Sequence, residues 1–347
     1  MASSASKMTI AVVSPLDNPA LRAMPADVAD FVVGNSAEAL LADERTANAE
    51  ALLWVPPGDP GVLSQVFPHT PRVRWCHSFF AGVDALAPFV RQHLLPGDSG
   101  CGGGGGGGDG AASEIKAEVL LSNGKGAFSD SLAEWVMTSV LHFNKQIPRV
   151  LANRQEKVWD KFVMNTVAGK TIGFVGFGHI AQTSARLAKA FGMHVLALRR
   201  SGAVGGGADE TFGPEQKLEL FRRSDYVVCV LPGTEQTADF CSTEEFSAMK
   251  ADGVFISIGR GLAVDEDALA TALREGQIAG AAVDVFKTEP LPQDSGLWAC
   301  DNLLLTAHNA DFTDDYFELG WSVWRKNFDA LCSGGGLVTE VDKRAGY

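Results

Sequence analysis

Thr171-Ile172-Gly173-Phe174-Val175-Gly176-Phe177-Gly178-His179-Ile180-Ala181 is the stretch that decides how this chain is built. A short apolar run, 171–175, leads straight into G-x-G-x-x-A, and a helix-compatible stretch, 180–191, follows. Gly176 permits a tight turn and Gly178 lets a pyrophosphate approach the backbone. Ala181, small in place of a third glycine, lets the helix pack close to the strand. The start of that helix adds partial positive charge. Alone the string is a weak signal; strand before and helix after make it a dinucleotide fingerprint that also takes in His179 and Ile180.

Outward from it the same rhythm repeats. Strands are expected at 171–175, 195–198, 226–231, 254–258, 279–284 and 302–306. Helix-compatible stretches lie between the first five, at 180–191, 214–223, 243–249 and 266–275. Near-continuous apolar strands separated by helices predict a parallel sheet covered on both faces, and six such strands match a doubly wound dinucleotide fold. Toward the N-terminus the strands are expected at 8–14, 51–55, 73–78 and 118–122, with helices at 26–43 and 83–93. Ser129-Asp130 offers a cap for a helix at about 132–146. Seven consecutive glycines, Gly102 to Gly108, stand in a segment, 96–113, that reads as a flexible surface insertion.

The composition narrows the class of function. At 347 residues, 46% hydrophobic and 20% charged, the chain has material for two soluble domains. A net charge of −13 argues against a nucleic-acid partner. The six cysteines form no C-x-x-C pair and the histidines show no ligand spacing, so neither disulfides nor a metal are expected. No apolar run is long enough for a membrane span, and the first seven residues resemble no signal or transit peptide. A soluble, cytoplasmic setting is the default expectation.

Where the ribose is read, about 20 positions past the fingerprint, stand Arg199, Arg200 and Ser201. An acidic side chain there would repel a 2′-phosphate; two guanidiniums and a hydroxyl suit one, so NADP(H) is expected over NAD(H).

Three further strings sit at later strand ends, where an open α/β sheet carries its site. They are Ser257-Ile258-Gly259-Arg260-Gly261, Asp284-Val285-Phe286-Lys287-Thr288-Glu289-Pro290 and Thr306-Ala307-His308-Asn309-Ala310. With these the chain resembles the D-isomer-specific 2-hydroxyacid dehydrogenase family, which includes glyoxylate/hydroxypyruvate reductases, phosphoglycerate dehydrogenases and D-lactate dehydrogenases. The resemblance runs from about Val73 to Ala310. It implies that Arg260, Glu289 and His308 are catalytic and that Asp284 lies beside the nicotinamide carboxamide. It also implies that Ala81 and Gly82, in Ala81-Gly82-Val83-Asp84, belong to a substrate loop, that Ala133-Glu134 opens an interdomain helix, and that Leu231-Pro232 with Thr237 forms a cofactor-side loop beside Ile258. His308-Asn309-Ala310-Asp311 departs from the family's commoner apolar-Gly continuation, and Arg199 replaces its usual acidic residue.

The chemistry is coherent without the family. Reducing a 2-oxo acid needs hydride at C2 and a proton on the carbonyl oxygen, and an imidazolium, ordinary pKa about 6.5, is the natural acid near neutrality. A carboxylate on its other nitrogen favours the charged ring and fixes the tautomer. An arginine presents a planar fork to the substrate carboxylate, and the N–H groups of Ala81 and Gly82 can take the same carboxylate.

The expectation is therefore α/β throughout. Residues 123–311 form a Rossmann domain; 1–122 with 312–347 form a smaller, flavodoxin-like substrate domain whose walls draw on Trp54, Trp75, Phe79 and Phe80. Phe317, Trp321, Trp324 and Phe328, at helical spacing, are expected to pack on that domain or on a partner subunit. The partners expected are a small 2-oxo or 2-hydroxy acid and a second copy in a homodimer. Two other functions fit the fold: a hydride transfer of the formate dehydrogenase kind, which would not need the histidine, and a dinucleotide-sensing, corepressor-like interaction protein.

Overall fold

The structure, a computed structural model, describes residues 7–95, 119–200 and 205–347, so the glycine-rich segment and Ser201 lie outside the described residues. The chain divides into two compact units, 1–127 with 315–347, and 128–314.

In the first unit five strands, β1 (Met8–Val13), β2 (Ala29–Gly34), β3 (Ala51–Trp54), β4 (Trp75–Ser78) and β5 (Leu120–Asn123), form a parallel sheet in the order β2-β1-β3-β4-β5. That is the flavodoxin-like order. Alternate residues serve opposite faces, and both faces are filled. Ile10, Val12, Leu53 and Trp75 pack with Trp321, Trp324, Phe328 and Leu331 of the helix Tyr316–Cys332. Ala11, Val13, Leu52 and Cys76 pack on the other side with Val62, Leu63, Leu86 and Phe89. Trp75 and Trp324 stack with ring centroids 5.9 Å apart, and Trp321 Nε1 donates to the Ala20 carbonyl at 2.7 Å. The C-terminal aromatic stripe is thus core of this unit.

Two expectations fail here. The stretch 26–43 is not one helix: Ala29–Gly34 pairs in register with β1, Met8 opposite Ala29 and Val13 opposite Gly34, and only Ala37–Leu41 is helical, capped by Ser36. Pairing along a full six-residue strand outweighs the helix preference of the surrounding alanines and leucines. Trp54, Trp75 and Phe79 are not pocket walls. All three are buried, with Trp54 Nε1 donating to the Gly58 carbonyl and Trp75 Nε1 to Ser122 Oγ.

The second unit holds β6 (Thr171–Val175), β7 (His194–Leu198), β8 (Glu210–Phe212), β9 (Tyr226–Cys229), β10 (Val254–Ser257), β11 (Gly280–Val283) and β12 (Leu303–Leu305). They form a parallel sheet ordered β12-β11-β10-β9-β6-β7-β8. It has seven strands, not six. β8 is three residues long and opens on a glutamate, too short and too polar to read by periodicity. Ser129 does not cap the helix Ser129–Asn144; it lies in the first turn, and its Oγ sits 2.7 Å from His179 Nδ1. No described helix is long and apolar enough to cross a membrane.

Candidate active site

Strand order reverses between β6 and β9: from β6 the chain first goes out to β7 and β8, then returns to β9 and continues to β12. A doubly wound sheet opens a crevice at the carboxyl ends of such a pair. Gly176 lies there with φ +87°, and a Cβ on it would stand 2.9 Å from the Val230 carbonyl oxygen. A Cβ on Gly178 would meet nothing within 4 Å, and no side chain caps the helix His179–Ala190 that begins after it. A tight glycine turn facing open space at a helix start is what a pyrophosphate requires, so these residues fit a dinucleotide. Ile180 lies in the first helical turn.

Around the crevice stand the other expected cofactor residues. Arg199, just past β7, holds its guanidinium 5.3 Å over the Phe177 ring and donates to the Phe177 carbonyl at 3.5 Å; Arg200 follows, exposed. Leu231 and Pro232 leave β9 in a loop that Thr237 ties, donating from Oγ1 to the Pro232 carbonyl at 2.6 Å and accepting from Thr234 N–H at 2.9 Å. Ile258 is buried directly after β10.

Arg260 stands between two glycines for a steric reason. A Cβ on Gly259 would fall 2.4 Å from the Leu231 carbonyl oxygen, and one on Gly261 only 1.9 Å from the Phe286 carbonyl carbon. The loops after β9 and β11 therefore press on the arginine from both sides. The Arg260 guanidinium donates to the Gly259 carbonyl at 3.0 Å.

Glu289 and His308 meet: His308 Nδ1 lies 2.7 Å from Glu289 Oε2, with each side chain a little over a third exposed. The other oxygen of Glu289 accepts the Phe286 N–H at 2.9 Å, and Glu266 holds the same loop by accepting Lys287 N–H at 2.6 Å. Asp284, 1% exposed, organises the histidine loop. Its carboxylate accepts from Thr306 Oγ1 at 2.6 Å, Asn309 N–H at 3.1 Å and Ala310 N–H at 3.2 Å, while its carbonyl accepts the His308 N–H at 2.8 Å. Ser131 Oγ donates to the Ala310 carbonyl at 2.6 Å. These bonds hold His308 at φ +50°, a conformation non-glycine residues seldom adopt. Sequence reading gave Asp284 to the cofactor and missed its place under His308. It also missed Glu266, Ser131 and the steric role of the paired glycines. Glu266 opens a helix, where an acid in the first turn is ordinary and signals no further role.

In the first unit Ala81 and Gly82 follow β4 on a tied loop. Asn123 Nδ2 donates to the Ala81 carbonyl at 2.6 Å, and Ser78 Oγ donates to the carbonyls of Phe80 and Gly82. The N–H groups of Ala81 and Gly82 have no partner among the described residues.

Residues 137–310 match the sequence profile of the D-isomer specific 2-hydroxyacid dehydrogenase NAD binding domain. The chain belongs to the D-isomer specific 2-hydroxyacid dehydrogenase family. It is 42% identical over 149 residues to a glyoxylate reductase of Thermococcus onnurineus, an alignment covering 42% of this chain and 44% of that protein. It is 34% identical over 205 residues to a glyoxylate/hydroxypyruvate reductase B of an Enterobacter, covering 57% and 63%. The chain thus spans about half the length of these two relatives. A family dehydrogenase of Xanthobacter autotrophicus, solved in complex with NADPH and MES, shares the fold at a TM-score of 0.78 and 24% identity, covering 99% of this chain and 100% of that one.

Proposed function

We propose that this protein reduces small 2-oxo acids of the glyoxylate and hydroxypyruvate kind to D-2-hydroxy acids, and runs the reverse, with Arg260, Glu289 and His308 as the catalytic set. The observation that carries this is the 2.7 Å pairing of His308 with Glu289 at strand ends of the same sheet that holds Arg260 and the glycine fingerprint. A bound nicotinamide would supply hydride to C2. Arg260 offers its fork to the substrate carboxylate and polarises the neighbouring carbonyl. With Nδ1 engaged by Glu289, Nε2 of His308 is the atom that hands a proton to the carbonyl oxygen, and takes it back in the reverse direction. Glu289, locked by the Phe286 N–H, sets that orientation. Ala81 and Gly82 are the substrate-side part of the proposal on their own geometry: N–H groups on a tied loop, without a partner among the described residues and suited to a carboxylate.

The cofactor preferred is NADPH. Arg199, stacked on the fingerprint's own Phe177, is at the strand end where a ribose is read, and Leu198-Arg199-Arg200 contains no acid to reject a 2′-phosphate. A second copy is the expected partner. Val158, Trp159, Val163 and Met164 are all exposed, Trp159 by 99%, an apolar run a homodimer would cover. Sedimentation as a monomer at micromolar concentration would remove that part of the reading.

The test is turnover of glyoxylate and hydroxypyruvate with both reduced cofactors, beside Arg199→Asp. Turnover is expected with both acids, faster with NADPH. The variant should lower the NADPH-to-NADH efficiency ratio by at least about tenfold, since a charged hydrogen bond to phosphate contributes about 1.5–3 kcal/mol before exposure weakens it. Equal efficiency of the unaltered protein with both cofactors would leave Arg199 as surface charge.

A further inference from the structure

Beyond the helix Tyr316–Cys332 the chain returns along β5, at the edge of the five-stranded sheet. The Val341 N–H donates to the Leu121 carbonyl at 2.8 Å, the Asn123 N–H donates to the Thr339 carbonyl at 3.2 Å, and Ser122 and Glu340 form an antiparallel bridge. Leu337 and Val341 anchor this strap, each buried in the core on a different face of the sheet. Between them Thr339 is buried and fully engaged. Its Oγ1 donates to the Asn123 carbonyl at 2.5 Å and accepts from Asn327 Nδ2 at 2.8 Å, and its N–H donates to Asn327 Oδ1 at 3.1 Å. One residue of the strap thus holds Asn123 by both its N–H and its carbonyl.

Asn123 in turn fixes the loop after β4. Its Nδ2 donates to the Ala81 carbonyl at 2.6 Å. That carbonyl and the Gly82 N–H belong to one planar trans peptide and point opposite ways, so holding the first aims the second. The next residue does the same for the other donor. The Gly124 N–H donates to the Phe80 carbonyl at 3.0 Å, which Ser78 Oγ also engages at 3.0 Å, and that peptide carries the Ala81 N–H. A Cβ on Gly124 would stand 2.3 Å from the Phe79 carbonyl oxygen, so only glycine lets the two segments come this close. We propose that Thr339 is a positioning residue for substrate: through Asn123, the C-terminal strap aligns the two N–H groups that receive the 2-oxo acid's carboxylate. The inference rests on the reading of Ala81 and Gly82 as that receptor. Hydrogen bonds weaken steeply once donors are misaligned, so a loosened Asn123 costs affinity. The carboxylate is bound alike before and during hydride transfer, so the loss falls on KM and not on kcat.

Thr339→Val keeps the shape and removes the hydroxyl; Thr339→Ser keeps the hydroxyl. Both are compared with the unaltered chain and with Asn123→Ala in steady-state reduction of hydroxypyruvate by NADPH. Calorimetry gives the affinity of oxamate, an unreactive 2-oxo acid mimic, for each NADPH-loaded protein, and NADPH titration gives the fraction folded. Thr339→Val should raise KM and weaken oxamate by at least about fivefold, with kcat per folded molecule within about twofold and NADPH affinity unchanged. Thr339→Ser should restore most of the loss, and Asn123→Ala should reproduce it. Should Thr339→Val fold poorly, Asn123→Ala and the Ser variant decide between them. A lower denaturation midpoint in Thr339→Val with KM and oxamate affinity unmoved would make the strap purely structural and overturn the inference. A Ser variant as impaired as the Val variant would overturn it too, by assigning the effect to the methyl group. Absence of turnover with every 2-oxo acid, with oxamate still bound, strikes the reductase reading alone, and the oxamate affinities still decide the role of Thr339. If oxamate does not bind the unaltered protein, both fall.

Discussion

The five-stranded and seven-stranded sheets of this chain share a plan and differ in what their strand ends carry. Both are parallel throughout. In the first unit the strands serve a core rich in tryptophan, and the loop after β4 presents backbone: carbonyls tied by Asn123 and Ser78, and the N–H groups of Ala81 and Gly82, which have no partner among the described residues. In the second unit the strand ends present side chains: Arg260 after β10, Glu289 beyond β11 and His308 after β12. Placing a charge or a proton needs particular residue types, whereas an amide donor can come from almost any residue. Substitutions in the first unit should therefore be felt in stability, and those at strand ends of the second in turnover.

The largest effect is expected from Trp324→Ala. This side chain is fully buried, stacked on Trp75 and on Phe328. Its loss should cost about 3–5 kcal/mol of stability, read as a lower midpoint in chemical denaturation. An unchanged midpoint would end the contrast between the units.

Gly261→Ala tests the other side. The added methyl would fall 1.9 Å from the Phe286 carbonyl carbon, so backbone must move, and Arg260 with it. Misplacing such a group by an ångström costs about a hundredfold in turnover. The denaturation midpoint should shift less than in Trp324→Ala. A variant that melts early yet keeps its turnover per folded molecule would show that the glycine serves folding alone.

The same contrast explains what could be read from sequence. β6 is legible to the residue because an apolar run must feed a glycine turn there, and Arg260, Glu289 and His308 stand out because their types are restricted by chemistry. The helix Ile147–Glu156 was missed since it buries no side chain and so shows no apolar stripe. β2 was misread since its pairing with β1 is a long-range fact that local preference does not contain. Trp54, Trp75 and Phe79 look alike whether they line a pocket or fill a core; only burial separates them. Asp284 was read for one role because the hydrogen bonds that reveal the other, to Thr306, Asn309 and Ala310, join residues more than 20 positions away.

A further effect, gradual with pH, is expected in the first unit. His77 is fully buried on β4, its Nδ1 2.7 Å from Ser122 Oγ, and burial pushes its imidazole down to about 3. The folded state keeps the ring neutral, while the unfolded chain protonates it near the ordinary value of about 6.5. Stability from this group is therefore fully present above about pH 6.5 and is lost as pH falls toward 3, by up to about 1.4 kcal/mol per pH unit. Melting curves of His77→Gln should be flatter over that window than those of the unaltered protein. Parallel curves would mean the ring is reached by solvent before the unit unfolds.

The reading of the second unit turns on His308. The direct measurement is the steady-state reduction of hydroxypyruvate with NADPH by the unaltered protein and by His308→Ala, with NADPH affinity followed by fluorescence in both. Losing a general acid should lower kcat by at least about a hundredfold, while NADPH affinity is retained because the fingerprint lies at a different strand end. Near-normal kcat in His308→Ala, or no turnover of any small 2-oxo acid by the unaltered protein with either cofactor, would contradict the account.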